Sequence, residues 1–375
     1  MSLTAKPRLF FLFHGRYPSE KAAALFLESE VRSFQELGYD TRIIAPFRFG
    51  RTSAVTKENI VYVPTIDLVP LKFFQAFFFR VSLIVFAWSA LVYLLIHARR
   101  RDLVISNEAL PLLVATIWFP NSLFELHDYP ERSLSLYRLL FDRVTHILVT
   151  NQWKLKRFAE DFPSAVHKAF YEPNAVDISA YPASLTREEA RRRLDLPFDA
   201  RLVVYTGHLY AWKGVDTLGD AAQKIPQYSV YVVGGTDEDV MRFKEKFHDV
   251  SNLVVVGRRP HEEMPLWQRA ADVLVLPNTA KEEISAHYTS PMKLFEYLAS
   301  GTPIVASDIP SIRVVVGDEE AEFVGPDSSS ALARGVEDIF NRADLRGRSS
   351  QWVLDHTWAR RAERIDRLIV QEDKS

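Results

Sequence analysis

A serine, a lysine and a glutamate stand close together in HYTSPMKLFEYLASG, His287 to Gly301. Leu294, Phe295, Leu298 and Ala299 recur there at helical spacing, and Gly301 ends the run. The Ser290 hydroxyl can cap the first free amides, and Pro291 suits the first helical position, where no N–H is needed. Lys293 then falls in the first turn, where the helix dipole disfavours positive charge. A bound anion resolves that conflict, because free backbone amides at Met292 and Lys293 suit a doubly charged group. A lysine side chain turned to water is the other reading. Glu296 is the single carboxylate within this apolar pattern. Helical glutamates are mostly solvated, yet Leu294, Phe295 and Leu298 flank this one.

Other candidates stand at the ends of strand-like runs. His127 and Asp128 close SLFELHD, and a histidine there has the pKa range for proton transfer; a turn with a satisfied histidine is the plainer reading. Gly15, in the first loop, can let a ligand approach the backbone or can simply make a turn. TDEDV, Thr236 to Val240, carries an Asp-x-Asp pair. Hard cations need several converging oxygens, whereas Thr236 reads as a helix cap followed by three acids that the dipole favours. No metal site is expected.

The elements that must position these residues follow a regular alternation. RLFFLF, DTRIIAP, RDLVISN, SLFELHD and THILVTN read as strands in the first half. From Arg201 the pattern restarts with RLVVYTG, YSVYVVGG, NLVVVG, DVLVLP and TPIVAS, with helices between. Continuous apolar strands separated by helices imply parallel sheets covered on both faces, with ligands beyond the carboxyl ends of the strands. A chain of 375 residues suggests two such domains. We expect an amino-terminal domain over 1–180, a carboxyl-terminal domain over 181–357, and a terminal helix over 358–375 that can pack back on the first. The net charge of −2 gives no basic field for nucleic acid, and the absence of cysteine excludes disulfides and thiolate chemistry. The apolar core of MSLTAKPRLFFLFHG is about five residues, short for a signal peptide, and is expected to be the first strand.

YTGHLYAWKGVDTL, NLVVVGRRPHEEMPLWQRAADVLVLP and SPMKLFEYLASGTPIVASDIPSI, in that order, resemble the nucleotide-sugar half of a family-4 retaining GT-B glycosyltransferase. HGRYPSEKAAALFLESEVRSFQELGYDTRIIAP, FELHDYP and PNAVD extend the likeness more loosely over the amino half. The resemblance implies an α/β GT-B fold, two doubly wound Rossmann-like domains facing a cleft. It implies that Lys213 meets the donor diphosphate, where an ammonium can neutralise charge on the departing phosphate, and that Glu296 receives the donor ribose. It places Gly207, Arg258, Arg259, Ser290, Met292 and Lys293 around the donor, with Gly15, His127 and Asp128 on the acceptor side. Three positions depart from the family: His208 stands where an arginine is usual, Tyr288 where an earlier glutamate is usual, and Val314 where a glutamate often follows the SDIP loop. A tyrosine can hydrogen-bond a sugar hydroxyl but supplies no negative charge.

Leu71 to Asp102 is unusually apolar, with sixteen uncharged residues between Arg80 and His97. As a helix these span about 24 Å, short of the roughly 30 Å hydrocarbon core. Lys72, Gln75, Ser82, Ser89 and Tyr93 form only a thin polar line. Such a helix lies against lipid or is buried, and Arg99, Arg100 and Arg101 suit anionic headgroups. Shallow insertion through 71–101 is expected, with a transmembrane span, a dimer interface and a fully buried helix as alternatives.

The expected activity is retaining transfer from a nucleotide-sugar to a saccharide acceptor, plausibly lipid-linked, at the cytoplasmic membrane face. His127, Lys213 and Glu296 are the expected catalytic residues, with no cofactor and no metal. Alternatives are a non-hydrolysing sugar-nucleotide epimerase on the same architecture and a catalytically silent partner subunit.

Overall fold

The computed structural model describes residues 6–19, 21–48, 59–66, 75–290, 292–341 and 350–372. Pro291 and the first residues of the apolar stretch, 71–74, lie outside these. Two wholly parallel sheets organise the chain. The first contains β1 (Leu9–Leu12), β2 (Thr41–Pro46), β3 (Ile60–Val63), β4 (Leu103–Ser106), β5 (Ser122–Leu126), β6 (His146–Val149) and β7 (Ala169–Tyr171), in the order β3-β2-β1-β4-β5-β6-β7. The second contains β8 (Leu202–Thr206), β9 (Ser229–Val233), β10 (Leu253–Gly257), β11 (Val273–Leu276), β12 (Ile304–Ser307) and β13 (Glu322–Val324), in the order β10-β9-β8-β11-β12-β13.

The central strands β1, β4, β8 and β11 are buried at every position and almost wholly apolar because both faces are covered. Phe10 and Leu12 enter one core of the first sheet, while Leu9 and Phe11 enter the other. In β8, Leu202 and Val204 go to one side and Val203 and Tyr205 to the other. This is the two-residue alternation of a strand feeding two helical layers. Each sheet reverses its order once, at β1/β4 and at β8/β11. At such a reversal the connections leave in opposite directions and open a crevice beyond the carboxyl ends.

The chain divides into a unit of 1–172 with 362–375 and a unit of 173–361. The junction is at Pro173 rather than near Ala180, because the 173–180 segment is tied to the second unit. Val176 bridges Thr357, and Asn174 Nδ2 donates to the Ser290 carbonyl at 2.7 Å. The terminal helix, Trp358–Glu372, contributes Ala362, Ile365 and Ile369 to the core around Leu9 and Phe11. Arg364 grips Glu172 at 2.6 Å, and Asp366 accepts from Tyr39.

The apolar helix spans Gln75–His97. Phe86, Ala87, Ala90, Leu91 and Leu94 bury one face in the core of the first sheet. Phe77, Phe79, Ile84, Trp88, Val92, Leu95 and Ile96 are exposed on the rest, Ile96 at 71%. A fully buried helix is therefore excluded.

The amino end of the second sheet is pinned by a buried carboxylate. Asp272 accepts from Arg191 at 2.7 Å, Arg187 at 2.6 Å and the Leu202 amide at 2.8 Å. Losing one member of such a buried cluster strands the others' charges. Asp272→Ala should lower the stability of the second unit by about 3–5 kcal/mol, read as a fall in its urea midpoint.

Candidate functional site

At the carboxyl end of β8 the backbone is held before any side chain is placed. Tyr297 Oη accepts the Thr206 amide at 2.8 Å, and the Gly207 amide donates to Val233 O at 2.8 Å. Gly207 takes φ +130° and Gly214 φ +67°, both favouring glycine. A Cβ on Gly214 would sit 1.9 Å from Pro277 O, so the 207–214 loop can lie against the end of β11 only with glycine there. Lys213 ends the short turn Ala211–Lys213 that leads into the helix Val215–Ala222. Its Nζ stands 3.8 Å from the centroid of the Trp212 ring. Burial pulls its pKa from the usual lysine range to about 7.

Lys293 enters the same place from the helix Met292–Ser300. Its side chain turns inward, not to water. Nζ is buried without a hydrogen-bond partner, 3.9 Å from the Tyr205 ring centroid and 3.2 Å from where a Gly207 Cβ would be. Burial first, and the Lys213 charge second, push its pKa far down, while Glu296 works against both. The amides that open this helix have no partner within it. Ser290, expected as the cap, is not one: its Oγ is buried and unbonded, and its carbonyl is tied to Asn174.

One turn on, Glu296 is half-buried and held. Its Oε2 accepts from Gln268 Nε2 at 3.0 Å, and Gln268 Oε1 accepts from the Tyr181 hydroxyl. A solvated helical glutamate would have no such support. His208 stacks on Tyr210 at 5.0 Å, and its pKa is lowered by desolvation and then by Lys213 and Lys293. Arg258 adds to that field from the end of β10. Arg259 points to its own neighbourhood, bonding Arg258 O at 3.0 Å. Tyr288 ends the turn Ile284–Tyr288 and is half-buried. Met292 is half-buried at the helix start. In the Asp-x-Asp pair, Asp239 completes a capping box with Thr236 and bonds Arg242 at 2.8 Å. Gly207, His208, Lys213, Lys293 and Glu296 thus lie together at the carboxyl end of β8, where the Lys213 charge acts on the buried Lys293 amine.

His127, Asp128 and Gly15 belong to the first unit, at the carboxyl ends of its strands. His127 follows β5 directly; its Nε2 is 3.3 Å from Glu125 Oε2 and its ring meets Phe26 at 4.6 Å. Lys154 Nζ donates to the His127 carbonyl, and burial lowers the Lys154 pKa to about 8 against the pull of Asp128. A Cβ on Gly15 would meet the Phe13 ring at 2.4 Å. Two residues of this unit escaped the sequence reading. Glu108, just past β4, accepts the His14 amide at 3.0 Å and has its pKa pushed up to about 7 by burial. His14 Nε2 lies 3.0 Å from Ser82 Oγ, with its pKa lowered to about 4, first by burial and then by Arg48. An acid directly after a strand at the sheet's reversal, in ISNEALP, was the available signal.

Residues 200–342 match the family described as glycosyl transferases group 1. A relative described as a putative teichuronic acid biosynthesis glycosyltransferase, TuaC of Bacillus subtilis (strain 168), is 29% identical over 151 residues, 40% of this chain and 36% of its own length. The chain spans about a third to three-fifths of the length of the first curated relatives it matches. Among solved structures, sucrose-phosphate synthase from Thermosynechococcus elongatus superimposes with a TM-score of 0.79 and 18% identity, covering 98% of this chain and 100% of that one. HepE of Anabaena, solved in complex with UDP, gives 0.73 and 16%, covering 97% and 100%. The fold is GT-B.

Gly214→Ala should displace the lysine-bearing loop from Pro277, with a loss of about 1–3 kcal/mol in stability. Thermal unfolding reads the loss, and a changed near-ultraviolet circular dichroism of the folded variant reads the displacement.

Proposed function

From residues 200–342, which match the group 1 glycosyl transferases, we propose that the protein transfers a sugar from a nucleotide-sugar donor to a saccharide acceptor. The observation that carries this reading is the pair of amines, Lys213 and Lys293, at the carboxyl end of β8 with Glu296 one turn beyond. A diphosphate supplies the negative charge that this crevice lacks. The ammonium groups and the amides opening the Met292–Ser300 helix take up charge as the sugar–phosphate bond breaks. Two lysines do this without a divalent metal. Glu296, held by Gln268, accepts hydrogen bonds from the ribose hydroxyls. Tyr288 leaves the donor sugar a neutral hydrogen-bonding partner in place of a carboxylate.

The reaction is proposed to retain the anomeric configuration, with positioning and leaving-group stabilisation supplying the rate. His127, Asp128 and Gly15 serve the acceptor from the first unit. UDP, bound in the HepE structure, is the first nucleotide to test.

The acceptor is proposed to be lipid-linked and the enzyme to sit on the inner face of the cell membrane. Phe77, Trp88, Val92 and Ile96 line the exposed side of the Gln75–His97 helix, and Arg99, Arg100 and Arg101 are exposed just beyond it. Apolar side chains beside clustered arginines suit shallow insertion among anionic headgroups. The teichuronic acid relative agrees with an envelope polysaccharide as product.

Sugar release from UDP-sugars, assayed with and without a membrane lipid extract, tests the reading. Turnover that requires the extract supports transfer; interconversion of the donor without it, or binding with no turnover, refutes it. Glu296→Ala should weaken UDP binding about tenfold to a hundredfold while circular dichroism stays unchanged, since hydrogen bonds to a charged group contribute about 1.5–3 kcal/mol. Replacing Arg99, Arg100 and Arg101 with alanine should release protein from phosphatidylglycerol vesicles in a sedimentation assay, by about 1 kcal/mol per charge.

A further inference from the structure

A buried ammonium without a counter-charge is an expensive arrangement, and Lys293 is such a group, with the Lys213 charge acting on it. Lys293 Nζ has no hydrogen-bond partner and is enclosed by the Tyr205 ring and the Gly207 backbone. Lys213 Nζ rests on the Trp212 ring, and among the described residues no carboxylate lies within salt-bridge distance of either lysine. The groups that face them are few. On its own helix Lys293 has Glu296, whose Oε2 is engaged by Gln268. From β8 come the Tyr205 ring, whose hydroxyl donates to His208 O at 2.6 Å, and from the loop come His208 and Lys213. Arg258 and Asp239 reach His208 with opposite signs. The Tyr297 hydroxyl is occupied by Thr206. Positive and titratable groups outnumber the two carboxylates, Glu296 and Asp239.

Such a cluster relieves its repulsion in the empty state by shedding protons. We infer that a nucleoside diphosphate binding here brings protons onto Lys213 and Lys293, so that the crevice acquires its full charge only with its ligand. The inference deepens the donor-site reading above and rests on it for the nature of the ligand. The step is a proton transfer alone: water or buffer gives up a proton, a lysine lone pair takes it, and the resulting ammonium pairs with a phosphate oxygen. Lys293 thereby supplies, from the helix, the cation that His208 at its loop position cannot supply as well as an arginine would. The depressed pKa values of both lysines agree with this, Lys213 standing at about 7.

The sign follows from linkage. Below about pH 7 Lys213 is already charged and takes up nothing; above it, the free site is under-protonated and the bound site is not, so affinity falls as pH rises. The terminal phosphate of UDP or GDP, with a second pKa of about 6, is already ionised in that range and does not produce the effect, whereas inorganic pyrophosphate still titrates there and reports binding alone.

Titration calorimetry of the full chain at about pH 8, in buffers of differing ionisation enthalpy, measures the uptake directly. The probes are UDP, GDP and inorganic pyrophosphate, each used in turn. The expected result is heat that tracks the buffer, equivalent to about one to two protons per ligand, with affinity falling about tenfold per pH unit for each proton taken up between about pH 8 and 9. Lys293→Met keeps the aliphatic stem and should reduce the uptake, weaken binding at least about tenfold and raise the thermal midpoint, because a buried unpaired amine has been removed. Lys213→Met gives the same reading of uptake should Lys293→Met fail to fold. Binding with buffer-independent heat and a flat pH dependence overturns the inference and leaves the donor reading standing. Pyrophosphate bound while neither nucleotide binds overturns the donor reading and, with it, the inference made for a nucleoside diphosphate; no binding by any probe overturns both.

Discussion

Two amines share one crevice without matching carboxylates, and most of what is particular to the second unit follows from that. Isolated charge is strongly disfavoured in a protein interior, so residues do not collect this way for stability. The carboxylates of the surrounding fold are engaged by other partners. Asp272 and its arginines act at the opposite, amino end of the sheet, and Glu296 answers to Gln268 and Tyr181. The strain is local, and it has the sign that a diphosphate removes.

The backbone prepares the place before chemistry enters. The reversal of strand order at β8/β11 opens the crevice, and the 207–214 loop lies within it because glycine at 214 permits contact with Pro277. Tyr297 closes the amide of Thr206 from the helix side, tying the loop to the element that carries Lys293 and Glu296. A sequence change at any of these positions moves a lysine without touching it. The first unit shows a parallel design with a different filling: the carboxylate of Glu108 occupies the His14 amide beside its own β1/β4 reversal.

The strands legible in the sequence were those with unbroken apolar runs, such as RLFFLF and DVLVLP, whose two faces are both covered. β3, β7 and β13 were not legible. They are three or four residues long, half-exposed and at sheet edges, so neither periodicity nor continuity marks them. Lys213 and Glu296 were legible through the motifs around them. The inward turn of Lys293 was not, since a lysine in a first helical turn ordinarily faces water and only the Tyr205 ring and Gly207 give it an interior to enter. The Ser290 cap was a sound local inference that a distant residue, Asn174, overrides. Glu108 meets His14 across 94 residues of chain, a contact set by sheet order rather than by any nearby pattern.

The most direct measurement is a crystal structure of the protein grown with UDP. The account predicts the two phosphates in contact with Nζ of both Lys213 and Lys293 at the start of the Met292–Ser300 helix, and the ribose hydroxyls on Glu296. A nucleotide seated elsewhere, with those two side chains still unpartnered, would contradict it.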